Sequence, residues 1–147
     1  MSPEDYDRPA LYHLLAPARP QSIELAHDII SQLWTHEPMP SVTDRIRFET
    51  AVIEVLANIV EHAARLDPPD VSPRQFDLTV ALDADKIEAR FSDDGKPSEI
   101  DLEQVTMPSE DAEDGRGLAL TLASVDDLSY ERIGPVNHWT LVCHRQH

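Results

Sequence analysis

The chain has little cysteine, few basic residues and no long apolar run. Its one cysteine, Cys143, excludes an internal disulfide, and no cysteines and histidines are spaced as in a zinc site. Its 12 lysines and arginines face 28 acidic residues, a formal net charge of −16, which argues against direct binding to nucleic acid. No apolar run reaches the roughly 20 residues of a membrane span, and the acidic N-terminus is unlike a signal peptide. A cytoplasmic protein that does not contact membranes is the default expectation.

The acidic residues are concentrated in the second half of the chain. Between Asp83 and Glu131 there are 15 acidic and four basic residues, a local balance of −11. Such a surface suits a basic protein partner, although simple solubility explains it equally well. If the chain binds a nucleotide, it needs a divalent cation and backbone N–H donors to shield the phosphates from this negative charge.

A chain of 147 residues fits one domain with a real core. We assign residues 1–10 to a disordered tail and 11–147 to a single α+β domain, a two-layer sandwich with a mixed, mostly antiparallel sheet and helices on one face. Ser22 is a candidate cap of the first helix, and Ser41 or Thr43 of the second. The apolar periodicity predicts strands at 11–15, 76–82, 87–91, 127–131 and 138–143, and helices at 21–35, about 41–66 and 118–125.

The first motif lies in the longest predicted helix. Glu54, Asn58 and His62 are four residues apart, so they project from one stripe of a helix whose neighbouring positions are apolar. Polar side chains on so buried a helix need partners. One interpretation is a structural hydrogen-bond network. The other is a functional site, in which Asn58 is an oxygen ligand of Mg²⁺ and Glu54 a general base.

The second motif, Asp93-Asp94-Gly95, follows a predicted strand. Two acids and a glycine commonly form a turn without any function. Alternatively, one carboxylate at the end of the strand accepts a hydrogen bond from an exocyclic amine, and Gly95 lets the backbone approach the base closely.

The third motif, Gly115-Arg116-Gly117, precedes the short helix predicted at 118–125. It has the spacing of neither a Walker A loop nor a dinucleotide fingerprint. Free N–H groups at the start of a helix still favour phosphate, and Arg116 either adds a contact to it or points into solvent.

Together and in this order, the three motifs resemble the N, G1 and G2 boxes of the GHKL superfamily of histidine-kinase-like ATPases. Within it, the chain is most similar to anti-sigma-factor serine/threonine kinases of bacterial partner switching, the RsbW/SpoIIAB type. The resemblance covers nearly the whole chain, and the Asp-x-Gly-x-Pro form at 93–97 favours the anti-sigma branch over sensor kinases. It implies a GHKL-type sandwich that binds ATP and Mg²⁺.

The resemblance also implies roles for single residues. Asn58 would coordinate Mg²⁺, and Glu54 would be the catalytic base for the hydroxyl of a protein serine or threonine; His62 would only support the helix. Asp93 would hold the adenine amino group with help from Gly95, and Thr140 would lie near the water bound to the adenine. The phosphates would be covered at the end of a lid, residues 96–114, by Gly115, Arg116 and Gly117.

The function implied is an ATP-dependent protein serine/threonine kinase that acts as an anti-sigma factor. It would phosphorylate an anti-sigma-factor antagonist, a STAS-type protein with a target serine or threonine, and sequester a sigma factor or a similar regulator. A homodimer is expected through the first strand and helix. The alternative is a non-catalytic GHKL-like binding module that holds a regulatory protein without phosphorylating it.

Overall fold

A computed structural model describes residues 9–66, 74–95, 121 and 123–146. The predicted tail therefore lies outside the described residues up to residue 8, and the sheet already begins at Ala10. Of the helix predicted at 118–125, only Thr121, Ala123 and Ser124 are described as helical. The described helices and strands are β1 (Ala10–Pro17), α1 (Ser22–Leu33), α2 (Val42–Leu66), β2 (Gln75–Leu82), β3 (Lys86–Asp93), β4 (Asp127–Ile133) and β5 (Val136–His144).

The five described strands form one sheet in the order β1-β2-β3-β5-β4. Every neighbouring pair is antiparallel, which fits the predicted mostly antiparallel sheet, and no parallel pair occurs among the described strands. For β1 and β2, the reason is that two described helices lie between them. One helix carries the chain back along the sheet and the next returns it, so β2 starts where β1 ended, with Pro17 opposite Gln75.

Strand alternation gives the sheet two different faces. The inner face carries the core, as in β3, where Ile87, Ala89 and Phe91 are buried, and the helices pack on this side. The outer face is more polar, although Leu11 and Leu15 of β1 are exposed on it. The α+β sandwich with helices on one face is thus confirmed. Within the described residues, no helix is both long enough and apolar enough to span a membrane.

The caps of the two helices show one correct and one wrong prediction. Ser41 Oγ accepts a hydrogen bond from the Asp44 amide at 3.1 Å, so Ser41, rather than Thr43, caps α2. Ser22 does not cap α1: it lies inside the first turn and is buried, and Gln21 occupies the cap position without a side-chain hydrogen bond. The preceding turn makes a cap unnecessary, because the Ser22 amide already donates to the Arg19 carbonyl at 3.0 Å.

The two ends of the sheet are defined by the register of β3 and β5. At the His144 end, Lys86 pairs with His144, and at the Asp93 end, Asp93 pairs with Asn137. Helix α2 starts at the His144 end, where Arg47 Nη2 donates to the His144 carbonyl at 2.8 Å. Its 25 residues extend about 36 Å, longer than a nine-residue strand of roughly 30 Å. Because its apolar residues are buried as far as Ala63, α2 crosses the whole sheet to the Asp93 end.

Candidate functional site

Asp93 is the last residue of β3 and shares the inward phase of the apolar residues before it. Only 7% of it is exposed. Its Oδ1 accepts hydrogen bonds from the Gly95 amide at 2.9 Å and from Asn137 Nδ2 at 3.0 Å, and Arg74 Nη1 lies 3.8 Å away. All these contacts use one oxygen. Within the described part of the chain, Oδ2 accepts no hydrogen bond and remains available to a ligand.

Asn137 joins Asp93 to the edge strand β4. Its Oδ1 accepts hydrogen bonds from the hydroxyl of Tyr130 and from Arg132 Nη1, the latter at 2.9 Å. The same Arg132 nitrogen donates to the Gly95 carbonyl at 2.7 Å. One guanidinium therefore fixes both the turn after β3 and the amide beside Asp93.

Gly95 makes room for an arginine. A Cβ atom at this position would lie 1.2 Å from Nη1 of Arg74, so any other residue would displace that guanidinium from the turn. Gly95 was predicted to let the backbone approach a nucleotide base. In the structure, the space that the missing Cβ leaves is filled by Arg74.

Glu54 lines an open cavity of about 560 Å³ along α2. Its side chain is half-buried, with hydroxyl and apolar side chains around it. Among the described residues of the wall, the other charged one is Arg47, which is bound to Asp44 and Asp126. The remaining lining residues are Thr43, Ile46, Thr50, Ala51, Thr121, Ala123 and Ser124. A carboxylate at the edge of such a cavity is accessible to a hydroxyl group of another molecule.

Asn58 and His62 follow Glu54 on the same stripe, one and two turns closer to the Asp93 end, and both are half-buried. Asn58 is 14 residues beyond Asp44, about 21 Å along the helix. Asp93 is seven residues beyond Lys86, about 23 Å along its strand. The fold thus brings Asn58 and Asp93 to a similar level along the sandwich, although no hydrogen bond joins them.

Thr140 is not brought to this site. In the register of the sheet it lies opposite Arg90 and Ser129, which point outward, whereas Asp93 and Asn137 point towards the helices. Period-two alternation therefore places Thr140 on the outer face, and Asn137 takes the position beside Asp93. The predicted phosphate contacts Gly115, Arg116 and Gly117, and the lid at 96–114, lie outside the described residues.

No ready-made metal centre is present among the described residues, since no three His, Cys, Asp or Glu side chains cluster there. The donor set at Asn58 is a single amide oxygen, which suits Mg²⁺ if phosphates and water provide the other ligands. Cys143 is not a candidate nucleophile. Burial raises the pKa of its thiol to about 11, so the thiol stays protonated at neutral pH.

Sequence reasoning missed four residues around Asp93: Arg74, Tyr130, Arg132 and Asn137. Asn137 had a usable signal, because it falls in the inward phase of β5 with Trp139, Leu141 and Cys143, where a polar residue needs a buried partner. The same alternation places Thr140 outward. Arg74 had no such signal, since its contact with Gly95 depends on how the chain enters β2.

Comparison with known proteins defines the class. Residues 16–143 match the family model of the histidine kinase-like ATPase domain (HATPase_c_2), so the chain belongs to that family. Its fold is of the GHKL type, and membership implies ATP binding. No match was found among curated proteins.

Among solved structures, one similar fold is the crystal structure of the RsbU and RsbW domains of Rv1364c from Mycobacterium tuberculosis, with a TM-score of 0.65 and 18% sequence identity. The similarity covers 92% of this chain and 32% of that chain. The chain thus spans about a third of the length of that protein, and at this identity the likeness shows the fold alone.

Proposed function

We propose that the chain is a cytoplasmic, ATP-dependent protein serine/threonine kinase. In this proposal it phosphorylates an anti-sigma-factor antagonist and sequesters a sigma factor or a similar regulator. The observation that carries the proposal is the asymmetric use of Asp93. A carboxylate that is 7% exposed, held by one oxygen and free on the other within the described residues, is suited to accept a hydrogen bond from an amine.

In this proposal, each of the site residues has a separate role. Asp93 Oδ2 accepts a hydrogen bond from the exocyclic amine of the base, and Asn58 provides one oxygen ligand to the metal ion. Bound ATP with Mg²⁺ supplies the phosphoryl group. Glu54 takes the proton from the acceptor hydroxyl, which its position in the open cavity allows. Gly115, Arg116 and Gly117 are the proposed phosphate contacts, as the family pattern implies.

The partner switch follows from charge. A phosphate placed on the antagonist adds about −1.5 to −2 charges, and next to this acidic chain the product is repelled. The unmodified antagonist binds and the phosphorylated one leaves, which frees the kinase for its regulator. The acidic surface is proposed to contact a basic face of that regulator, with no direct role for nucleic acid.

A homodimer through β1 and α1 belongs to the same proposal. In the described sheet, β1 is an edge strand, and Leu11 and Leu15 on its outer face are 59% and 58% exposed. Leu25 of α1 is also exposed, at 44%. Exposed leucines on an edge strand favour pairing with a second apolar surface.

The second candidate function is a non-catalytic binding module. Glu54 distinguishes the two candidate functions, because a module that only binds a partner does not need a general base in the cavity. The test is incubation of the chain with Mg·ATP and a candidate antagonist, followed by detection of phosphoprotein. We expect transfer by the parent chain and at least a hundredfold slower transfer by Glu54→Ala, in line with the general contribution of a positioned base, about 10²–10⁴.

The matched control is Glu61→Ala, which removes an exposed carboxylate from the same helix and should leave transfer unchanged. If the parent makes no phosphoprotein while still binding the antagonist, the binding module is correct. If Glu54→Ala transfers phosphate as fast as the parent, Glu54 is not the base.

A further inference from the structure

The side-chain amide of Asn137 has only one orientation compatible with its neighbours. It is 2% exposed. Its oxygen accepts from two donors, the hydroxyl of Tyr130 and a guanidinium nitrogen of Arg132 that cannot lose its proton. Exchanging the amide oxygen and nitrogen would set Nδ2 against that guanidinium. The nitrogen therefore points to Asp93, as observed at 3.0 Å.

The Asn137 amide, held in this orientation, also restricts the carboxylate of Asp93. Asp93 Oδ1 accepts from Asn137 Nδ2 and from the Gly95 amide, and the Gly95 carbonyl is itself bound by Arg132 at 2.7 Å. A carboxylate held at one oxygen from two directions cannot rotate freely about its last side-chain bond. The direction of Oδ2 is therefore set by a network of three residues on β4 and β5, none of which has to touch the ligand.

We infer that Asn137, held by Arg132 and Tyr130, is the positioning residue that gives the site its preference for a base with an exocyclic amine. The inference rests on the proposed function, since it requires Asp93 to face the base. An amine donates to a fixed carboxylate oxygen, whereas a carbonyl at the same place is repelled by it. When the carboxylate is free to turn, that repulsion is relieved and the difference between the two bases is lost.

The experiment compares two nucleotides that differ at this group. ATP carries the amine, and inosine triphosphate carries a carbonyl oxygen in its place. Titration of the parent chain with each, in the presence of Mg²⁺, gives the ratio of the two affinities. We expect the parent to prefer ATP. Asn137→Ala should lower the ratio about tenfold, mainly through weaker ATP binding, because Asp93 loses the hydrogen bond from Asn137 that holds its carboxylate in place. A residue that only supported the fold would weaken both nucleotides equally.

Tyr130→Phe is a second variant, in case Asn137→Ala does not fold. It removes one donor to the Asn137 oxygen and retains the aromatic ring, whose centroid lies 4.8 Å from that of Trp139. The ratio should fall about threefold. Tyr12→Phe is the matched control, because it also loses a hydroxyl hydrogen bond, to His36, but far from Asp93. Its ratio should equal that of the parent.

Two results would overturn the inference. If ATP binds and the ratio is unchanged in both Asn137→Ala and Tyr130→Phe, Asn137 does not position Asp93, while the proposed function stands. If the parent binds neither nucleotide, the proposed function fails and the inference fails with it.

Discussion

Two buried aspartates, one at each end of the sandwich, differ in how many of their oxygens the protein uses. Asp44, at the His144 end, is fully buried; its Oδ1 accepts from Arg47 at 3.3 Å and its Oδ2 from the Gln146 amide at 2.9 Å. Asp93 uses Oδ1 alone within the described residues. A carboxylate with both oxygens paired inside the chain holds the structure together, whereas one with an oxygen to spare can bind a ligand.

The arginines at the two ends repeat this contrast. Arg47 donates to the Ser124 and His144 carbonyls and to two carboxylates, so it joins α2 to the end of β5 and to the chain before β4. Arg132 donates instead to the turn carbonyl of Gly95 and to the amide of Asn137. The first network closes the fold, and the second positions one side chain. The predictions below test this separation.

The largest effect on stability is expected at the His144 end. Asp44→Ala removes the buried acceptor of the Gln146 amide and one of the acceptors of Arg47, and should lower the free energy of unfolding by about 2 kcal/mol or more. Urea denaturation measures the change. Asp28→Ala, at an exposed position of α1, is the control and should cost little. Equal losses in the two variants would mean that the Asp44 network is not structural.

Asn58→Ala should have the largest effect on binding. The residue is half-buried, so the fold should survive truncation, but the metal ion loses its one amide ligand from the protein. We expect Mg·ATP affinity to fall about a hundredfold, equivalent to about 2.7 kcal/mol. Calorimetric titration measures it, and an unchanged affinity would refute the assignment of Asn58.

Asp93→Asn should weaken ATP binding about tenfold and change the stability by less than about 1 kcal/mol. The new amide keeps its oxygen towards the Gly95 and Asn137 donors, which leaves its NH₂ group facing the base, where an adenine amine needs an acceptor. ATP titration and urea denaturation of the same preparation give both numbers. Equal binding of ATP and GTP by the parent would argue against Asp93 contacting the base.

The smallest effect is expected at Asp126, through pH. The His144 amide, at 2.6 Å, lowers the pKa of this carboxyl, assisted by Arg47 and opposed by partial burial. A pKa lowered in the folded state contributes stability above the ordinary aspartate value of about 3.9, and this contribution is lost as the pH falls through the folded pKa.

Asp126→Asn should therefore cost at most about 1 kcal/mol near neutral pH, since the side chain is 39% exposed and screened by solvent. In acid, below the folded pKa, parent and variant should converge. Urea denaturation of the parent and the variant, near neutral pH and in acid, measures the difference in their free energies of unfolding. If the difference in stability between parent and variant persists in acid, the carboxylate charge is not its cause.

Much of the fold could be predicted because periodicity is local. The order of the described helices and strands, the hairpin of β2 and β3, and a cap of α2 at Ser41 or Thr43 follow from neighbouring residues in the sequence. The all-antiparallel sheet and the uncapped start of α1 did not follow. The sheet depends on where distant segments meet, which residue patterns do not specify, and the start of α1 depends on the turn in which the Ser22 amide donates to the Arg19 carbonyl.

For the site, the sequence indicated which residues were unusual but not what surrounds them. Asp93 and Glu54 were predicted from local motifs, and the structure places them at the end of β3 and in the cavity along α2. The network behind Asp93 comes from three separate segments, and Arg74 from a fourth. Thr140 was assigned by family resemblance, whereas strand alternation, applied to the inward Trp139 and Leu141, places it outward.

The central claim is that the Asp93 end binds the base of the nucleotide, whereas the network of Asp44 and Arg47 at the His144 end is structural. Amide NMR spectra of the parent chain, recorded during titration with Mg·ATP, test this most directly. The account predicts large shifts for the Gly95 amide and for the side-chain NH₂ of Asn137, with small shifts for the amides of His144 and Gln146. Large shifts at His144 and Gln146, with none at Gly95 and Asn137, would contradict it.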